Sequence, residues 1–159
     1  MTIHAQNCTL RSFTLDDVSA FFYMTHNDEK IKKYVPSAFP KDFLDAYEIV
    51  DVYSQGDCKN DFYLAIERGK VLLGFIISVR MCNMSLDTSA VIFKQYRGKG
   101  IMTQAINVFK NWLKENTEYK TLSLQIRKDN KISLHQSKKC GAKLKCEDEH
   151  TYFMRIHIR

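Results

Sequence analysis

The feature that most constrains this chain is a short basic loop with two glycines, residues 95–100. The residues before it, 86–93, predict a strand. Residues 101–113 carry apolar side chains at helical spacing, with polar side chains on the other face. Glycine lets the backbone approach a ligand closely, and the free amides and dipole of the following helix add partial positive charge. With the full charges of Arg97 and Lys99, this arrangement predicts a phosphate or pyrophosphate site.

Two common phosphate motifs do not fit this loop. Gly98 and Gly100 are too close together for the P-loop of nucleotide hydrolases, and Lys99 lies between them. The dinucleotide-binding pattern would need a third glycine, but position 103 is threonine. An ordinary strand-to-helix turn with a solvated basic loop remains the alternative.

Length and composition predict one globular domain spanning residues 1–159. The net charge of +6, from 24 basic and 18 acidic residues, fits an anionic cofactor, a nucleic acid or a membrane surface. No nucleic-acid motif is visible, and no stretch is apolar enough to span a membrane. We therefore expect no nucleic-acid or membrane partner. No secretory signal is recognisable, so a cytoplasmic location is expected.

The cysteines and histidines do not form recognisable ligand patterns. The five cysteines are odd in number and none are spaced Cys-x-x-Cys, which favours reduced thiols over disulfides or a zinc site. The five histidines show no spacing typical of a metal site. We expect no bound metal.

The hydrophobic pattern predicts alternating strands and helices, and hence an α/β (α+β) fold with a mixed sheet covered by helices. Strands are predicted at 8–13, 61–67, 71–80, 86–93, 121–126, 142–146 and 151–158. Helices are predicted at 14–25, 29–34, 41–55, 101–113 and 130–139. The first is expected to break near residues 26–28, and the last to be capped by Asp129 or Asn130. Gly74 inside an apolar strand predicts a bulge or close packing. The helical crossover makes strands 86–93 and 121–126 parallel, which puts a cofactor at their carboxyl ends.

Three motifs carry a resemblance to a known family. Gln95-x-x-Gly98-x-Gly100 resembles the acetyl-CoA pyrophosphate loop of the GNAT superfamily of N-acetyltransferases. The opening stretch 10–17 and the pair Asn130-x-x-Ser133 resemble the ribosomal-protein N-terminal (alanine/serine) acetyltransferase branch. Because these motifs lie at the correct separation, the resemblance covers most of the chain.

The resemblance implies a mostly antiparallel central sheet of about seven strands, flanked by helices. One parallel pair would splay apart to admit acetyl-CoA. It implies contacts with this cosubstrate at Val91, Ile92, Phe93, Gln95, Arg97, Gly98, Lys99, Gly100, Ile101, Met102 and Asn130.

The resemblance also implies two catalytic residues. Asp87 takes the place of the acid that commonly accepts the amine's proton in this branch, where glutamate is more usual. Ser133 would lie near the sulfur and return a proton to the leaving thiolate. Residues 88–90, Thr-Ser-Ala, depart from the branch pattern of an apolar residue followed by Gly-Tyr. Alternative acids are Tyr34, Tyr119 and Tyr152.

The function implied is transfer of the acetyl group of acetyl-CoA to a primary amine by direct attack in a ternary complex. The acceptor would be a protein N-terminus or a small-molecule amine, and the protein a monomer or homodimer. The departure at residues 88–90 leaves open an alternative, a CoA-binding or acetyl-CoA-binding module with little turnover. A basic nucleic-acid-binding domain is the third possibility.

Overall fold

The computed structural model describes residues 1–159 as eight strands and five helices. The strands are β1 (Thr2–His4), β2 (Thr9–Ser12), β3 (Asp61–Arg68), β4 (Val71–Arg80), β5 (Ser85–Ile92), β6 (Thr121–Arg127), β7 (Lys143–Glu147) and β8 (Thr151–His157). The helices are α1 (Val18–His26), α2 (Glu29–Tyr34), α3 (Phe43–Ser54), α4 (Ile101–Asn116) and α5 (Lys131–Lys139). No helix combines the length and apolar character that a membrane span requires.

All eight strands form one sheet in the order β1-β2-β3-β4-β5-β6-β8-β7. Every neighbouring pair is antiparallel except β5 and β6, which run parallel and are joined by α4. The mixed, mostly antiparallel sheet and its single parallel pair are confirmed. The sheet has one strand more than expected, because β1 pairs with β2 over only three residues and leaves no clear pattern in the sequence.

The parallel pair is short. Strands β5 and β6 pair only from Ser85 to Asp87 and then diverge, although β5 continues to Ile92. The hydroxyls of Ser85 and Thr121 hydrogen-bond in the buried, paired part. The sheet is therefore continuous at the amino ends of these two strands and open at their carboxyl ends.

Two hydrophobic cores lie on opposite faces of the sheet. The first packs α4, through Ile101, Ala105, Ile106, Phe109 and Leu113, against strands from both halves of the sheet. The second packs α1, α2 and α3 against β3, β4 and β5 and includes no buried residue of β6, β7 or β8. One face of these last three strands is therefore left without a helical layer.

Close contact between β4 and β5 fixes the edge of the opening. A Cβ built on Gly74 would lie 2.0 Å from the carbonyl oxygen of Val91 and 2.9 Å from Cα of Ile92. No side chain fits there, so the sequence-based expectation of close packing at Gly74 is confirmed. The pairing of β3 with β4 also shifts between Ile66 and Glu67, beside this contact.

Candidate active site

A cleft of about 360 Å³ occupies the gap between the diverging strands β5 and β6. It reaches from α2 on one side of the sheet to α4 and α5 on the other. Residues 88–92 and 124–127 line its walls, and residues 96–103 line one end. The opening predicted at the carboxyl ends of the parallel pair is thus a real cavity next to the glycine loop.

The glycine loop presents open backbone to this cleft. Gly98 and Gly100 have φ angles of 77° and 73°, and a Cβ built on either would meet nothing within 4 Å. Gly100 also precedes the first turn of α4, and no backbone carbonyl accepts from the amides of residues 101–103. These free donors and the dipole of α4 favour an anionic group at this end of the cleft.

The side chain of Arg97 turns toward the protein instead of standing free in the loop. Its Nη2 donates to the Asp28 carboxylate at 2.6 Å, and its Nε donates to the carbonyl oxygen of Ile92 at 2.8 Å. Asp28 is only 3% exposed and caps α2 by accepting from the amide of Lys30. Arg97 therefore ties the glycine loop to the end of β5 and the start of α2, and its charge is largely neutralised.

Asp28 is a residue that sequence reasoning did not identify as part of the site. It lies 69 positions from Arg97, and nothing in the local pattern links the two. The sequence predicted only that the helix after Thr14 breaks near residues 26–28, which the structure confirms.

Most of the positions predicted to bind a cofactor line the cleft. These are Val91, Ile92, Arg97, Gly98, Lys99, Gly100, Ile101, Met102 and Asn130. Phe93 is instead fully buried in the second core, and its amide donates to the carbonyl oxygen of Leu73. Gln95 is exposed and lies outside the cleft lining.

Asn130 and Ser133 meet at the start of α5. The side-chain oxygen of Asn130 accepts from the Ser133 amide at 3.2 Å and so caps the helix, as one of the two predicted caps. Ser133 also lines the cleft and is half-buried. The cap uses the backbone amide of Ser133. The Ser133 hydroxyl takes no part in it and remains available to a ligand in the cleft.

Asp87 lies at the last residue pair before β5 and β6 diverge. It is half-buried and does not itself line the cleft, whose lining on β5 begins at the next residue, Thr88. Burial raises the pKa of Asp87 above its ordinary value, while hydrogen bonds from the Gln125 side chain and the Thr88 amide act in the opposite direction. A carboxylate with a raised pKa is better suited to accept a proton than an exposed one.

Only one of the three alternative acids lines the cleft. Tyr34 does so, and Lys33 and Arg127 lie over its ring at 5.0 and 5.6 Å. Tyr119 donates its hydroxyl to the carbonyl oxygen of Lys59, away from the cleft, and Tyr152 does not line it. Position relative to the cleft therefore distinguishes Tyr34 from Tyr119 and Tyr152, and spacing along the chain did not reveal it.

An ionic link joins α2 to the end of β6 beside the cleft. Lys33 on α2 and Arg127 at the end of β6 both contact the carboxylate of Asp129, at 3.1 and 3.2 Å. On the opposite side, Gln136 of α5 donates to the hydroxyl of Thr103 on α4 at 2.6 Å. Thr103, Arg127 and Gln136 line the cleft but were not identified in the sequence, because no local pattern links them to one site.

The fold of the chain is similar to that of several solved acetyltransferases. It superimposes on an acetyltransferase of the GNAT family from Bacillus anthracis with a TM-score of 0.82, 18% identity and 99% of each chain covered. Spermidine N-acetyltransferase from Vibrio cholerae, solved with CoA and spermine, gives 0.78, 16% identity and 95% of each chain. RimL, a ribosomal L7/L12 alpha-N-protein acetyltransferase, gives 0.83, 15% identity, and 98% and 92% of the two chains.

Sequence comparison adds the family assignment. No curated protein sequence is significantly similar to the chain. The family model described as the acetyltransferase (GNAT) domain, however, matches residues 7–143. That match includes the diverging strands, the glycine loop and the start of α5, and the chain therefore belongs to the GNAT family of acetyltransferases.

Proposed function

We infer that the protein transfers the acetyl group of acetyl-CoA to a primary amine, on a protein N-terminus or a small molecule, by direct attack within a ternary complex. One observation carries this inference. The cleft between β5 and β6 runs from the open backbone of the glycine loop to Thr88, the residue that follows Asp87 on β5. A long cosubstrate with phosphates at one end and a reactive group at the other matches that arrangement.

The residues of the cleft fit acetyl-CoA. Gly98 and Gly100 leave a cradle that any side chain would fill, and the free amides of α4 point into it. Lys99 adds a positive charge that no carboxylate of the chain neutralises, in contrast to Arg97. The diverging strands expose backbone amides and carbonyls of residues 88–92, where the pantetheine arm can lie as an added strand.

Acetyl-CoA, when bound, supplies the activated acetyl group; the residues of this chain bind it and move protons. A primary amine is protonated near neutral pH and must lose a proton before it can attack. Asp87 can accept that proton, directly or through a water molecule, because it directly precedes Thr88, where the lining of the cleft begins on β5. The Ser133 hydroxyl can donate a proton to the departing sulfur, with Tyr34 as the second candidate.

Calorimetric titration with acetyl-CoA tests the cosubstrate site. Wild-type protein should bind at micromolar concentration, and Gly98→Trp should abolish binding by filling the cradle. Gly69→Trp is the matched control, because Gly69 has a φ of 56° and open space around it but lies in the β3–β4 turn. No binding by the wild type at millimolar acetyl-CoA would contradict the proposal.

A second measurement separates an enzyme from a binding module. Thiol release from acetyl-CoA is followed with spermidine and with short peptides as acceptors. Release that depends on an added amine supports acetyl transfer. Tight acetyl-CoA binding without release on any acceptor would instead support a module that binds without turnover.

A further inference from the structure

Six residues form a single row across the part of the sheet where β5 and β6 are still paired. The strand registers pair Asp61 with Val79, Val79 with Asp87, Asp87 with Ser123, Ser123 with Arg155, and Arg155 with Lys143. Residues paired in this way point to the same face of a sheet. The charged row therefore carries its carboxylates on β3 and β5 and its cations on β8 and β7.

The charged row faces solvent and not a core. It lies on the same face of the sheet as α1, α2 and α3. These helices cover that face at β3, β4 and β5 but not at β6, β7 or β8, which give no buried residue to the second core. Val79 and Lys143 are exposed, and the other four members are half-buried. A ligand can therefore reach Asp87 and Arg155 together from this side.

Arg155 lacks the carboxylate partner that comparable arginines have. The chain contains three half-buried arginines. Arg11 pairs with Asp17 and Glu67, and Arg97 pairs with Asp28, at 2.6–2.7 Å. No ion pair of the chain includes Arg155 or its neighbour Lys143. A half-buried guanidinium without an anion is partly desolvated and uncompensated, which favours binding of an anionic group there.

We propose that the acceptor amine carries an anionic group, which Arg155 and Lys143 bind while the amine lies at Asp87. Adjacent strands are about 4.8 Å apart, so the backbones at Asp87 and Arg155 are separated by about 10 Å. The long arginine side chain covers part of this distance. An acceptor whose amine and anionic group are a few bonds apart, such as a peptide with an acidic second residue, can cover the rest. Arg155 is thus a specificity-determining residue, an inference that rests on the proposed acetyl transfer.

The charges of the row also favour this orientation over the reverse. Neither Asp61 nor Asp87 is ion-paired within the chain. An ammonium is therefore attracted to the acidic end of the row and a carboxylate to the basic end. A polyamine such as spermidine carries no anionic group that Arg155 can bind, and its positive charges are repelled by the guanidinium.

The test compares three peptide amides that begin Ser-Asp, Ser-Asn and Ser-Lys and are otherwise identical. For the wild type, kcat/KM for the Ser-Asp peptide should exceed that for the Ser-Asn peptide about tenfold, as expected for one charge-assisted contact. Arg155→Glu should invert the order and favour the Ser-Lys peptide, a gain that misfolding cannot produce. Lys114→Glu makes the same charge change on α4 and should keep the wild-type order.

Other outcomes would overturn the inference. Equal rates on all three peptides would exclude anion recognition and leave acetyl transfer intact. If no peptide and no spermidine is acetylated, acetyl transfer itself fails. The row is then tested by titrating the Ser-Asp and Ser-Asn peptides into protein with CoA, where equal Kd values would exclude the inference. An unchanged peptide order in Arg155→Glu, with dissociation of a dimer on size exclusion, would make the row a subunit contact.

Discussion

The two halves of the sheet differ in how much of each strand is covered. Strands β3, β4 and β5 lie between the two cores, whereas β6 and β8 contribute buried residues to the first core only and β7 contributes none to either. Strands buried on both faces are almost uniformly apolar, as residues 71–78 are. Strands with a free face can carry polar side chains on it, as Ser123, Gln125 and Arg155 show.

This difference in coverage determines where a site can form in the sheet. The covered half holds the backbone of β5 in a fixed position, and the half with the free face supplies polar groups beside it. The cleft lies at the boundary, where β5 leaves β6 after Asp87. We expect substitutions in the covered half to change stability most, and substitutions at the boundary to change activity most.

Gly74→Ala, in the covered half of the sheet, should give the largest loss of stability. The added Cβ would lie 2.0 Å from the carbonyl oxygen of Val91, so β4 and β5 must separate. We expect a loss of more than about 3 kcal/mol in the free energy of unfolding, measured with urea. Gly69→Ala, where no atom is near the new Cβ, should cost only about 1 kcal/mol. Equal losses in the two variants would contradict the close contact.

Arg97→Ala should remove the contacts that tie the glycine loop to β5 and α2. It leaves the buried carboxylate of Asp28 without a partner, at a cost of about 3 kcal/mol in the free energy of unfolding. Arg127→Ala is the control, because its partner Asp129 is 45% exposed and the loss should be under about 1 kcal/mol. Adding Asp28→Asn to Arg97→Ala should restore part of the stability, and no recovery would contradict a buried-charge effect.

Asp87→Asn, at the boundary between the two halves, should lower activity without lowering stability. We expect kcat to fall about 100-fold if Asp87 accepts the amine's proton. Burial holds the pKa of this carboxyl above its unfolded value, so ionising it destabilises the folded state. Stability is therefore lost as pH rises from the ordinary aspartate range through the raised pKa, and the variant should lack that loss.

The measurements for Asp87→Asn are Tm as a function of pH and kcat at saturating acetyl-CoA. The expected result at neutral pH is a Tm equal to or above that of the wild type together with lower kcat. Lower Tm with unchanged kcat would assign Asp87 a structural role instead.

Ser133→Ala should give the smallest effect. A thiolate is a good leaving group, so removing a proton donor should lower kcat by less than about 100-fold. Tyr34→Phe is the matched variant, since both side chains line the cleft. The variant with the larger loss, measured by thiol release with a single amine, identifies the acid; equal and negligible losses would exclude both residues.

Local signals predicted much of the fold and part of the site. The helix break near residue 28, the glycine loop before α4 and the cap at Asn130 each depend on residues a few positions apart. The bounds of α2 and β4 agree with the sequence-based expectation, and α4 extends three residues further, to Asn116. Strand β1 was not predicted, because three residues are too few to show the alternation typical of a strand.

The order of strands and helices, the parallel crossover and the open glycine loop could be predicted from local patterns, because backbone conformation and hydrophobic spacing are local properties. The binding of Asp28 by Arg97, the place of Tyr34 at the cleft and the row shared by Arg155 and Asp87 depend on the folded chain. These relations join residues that are far apart in the chain. Strand register and helix packing bring them together, and neither is encoded in any single stretch.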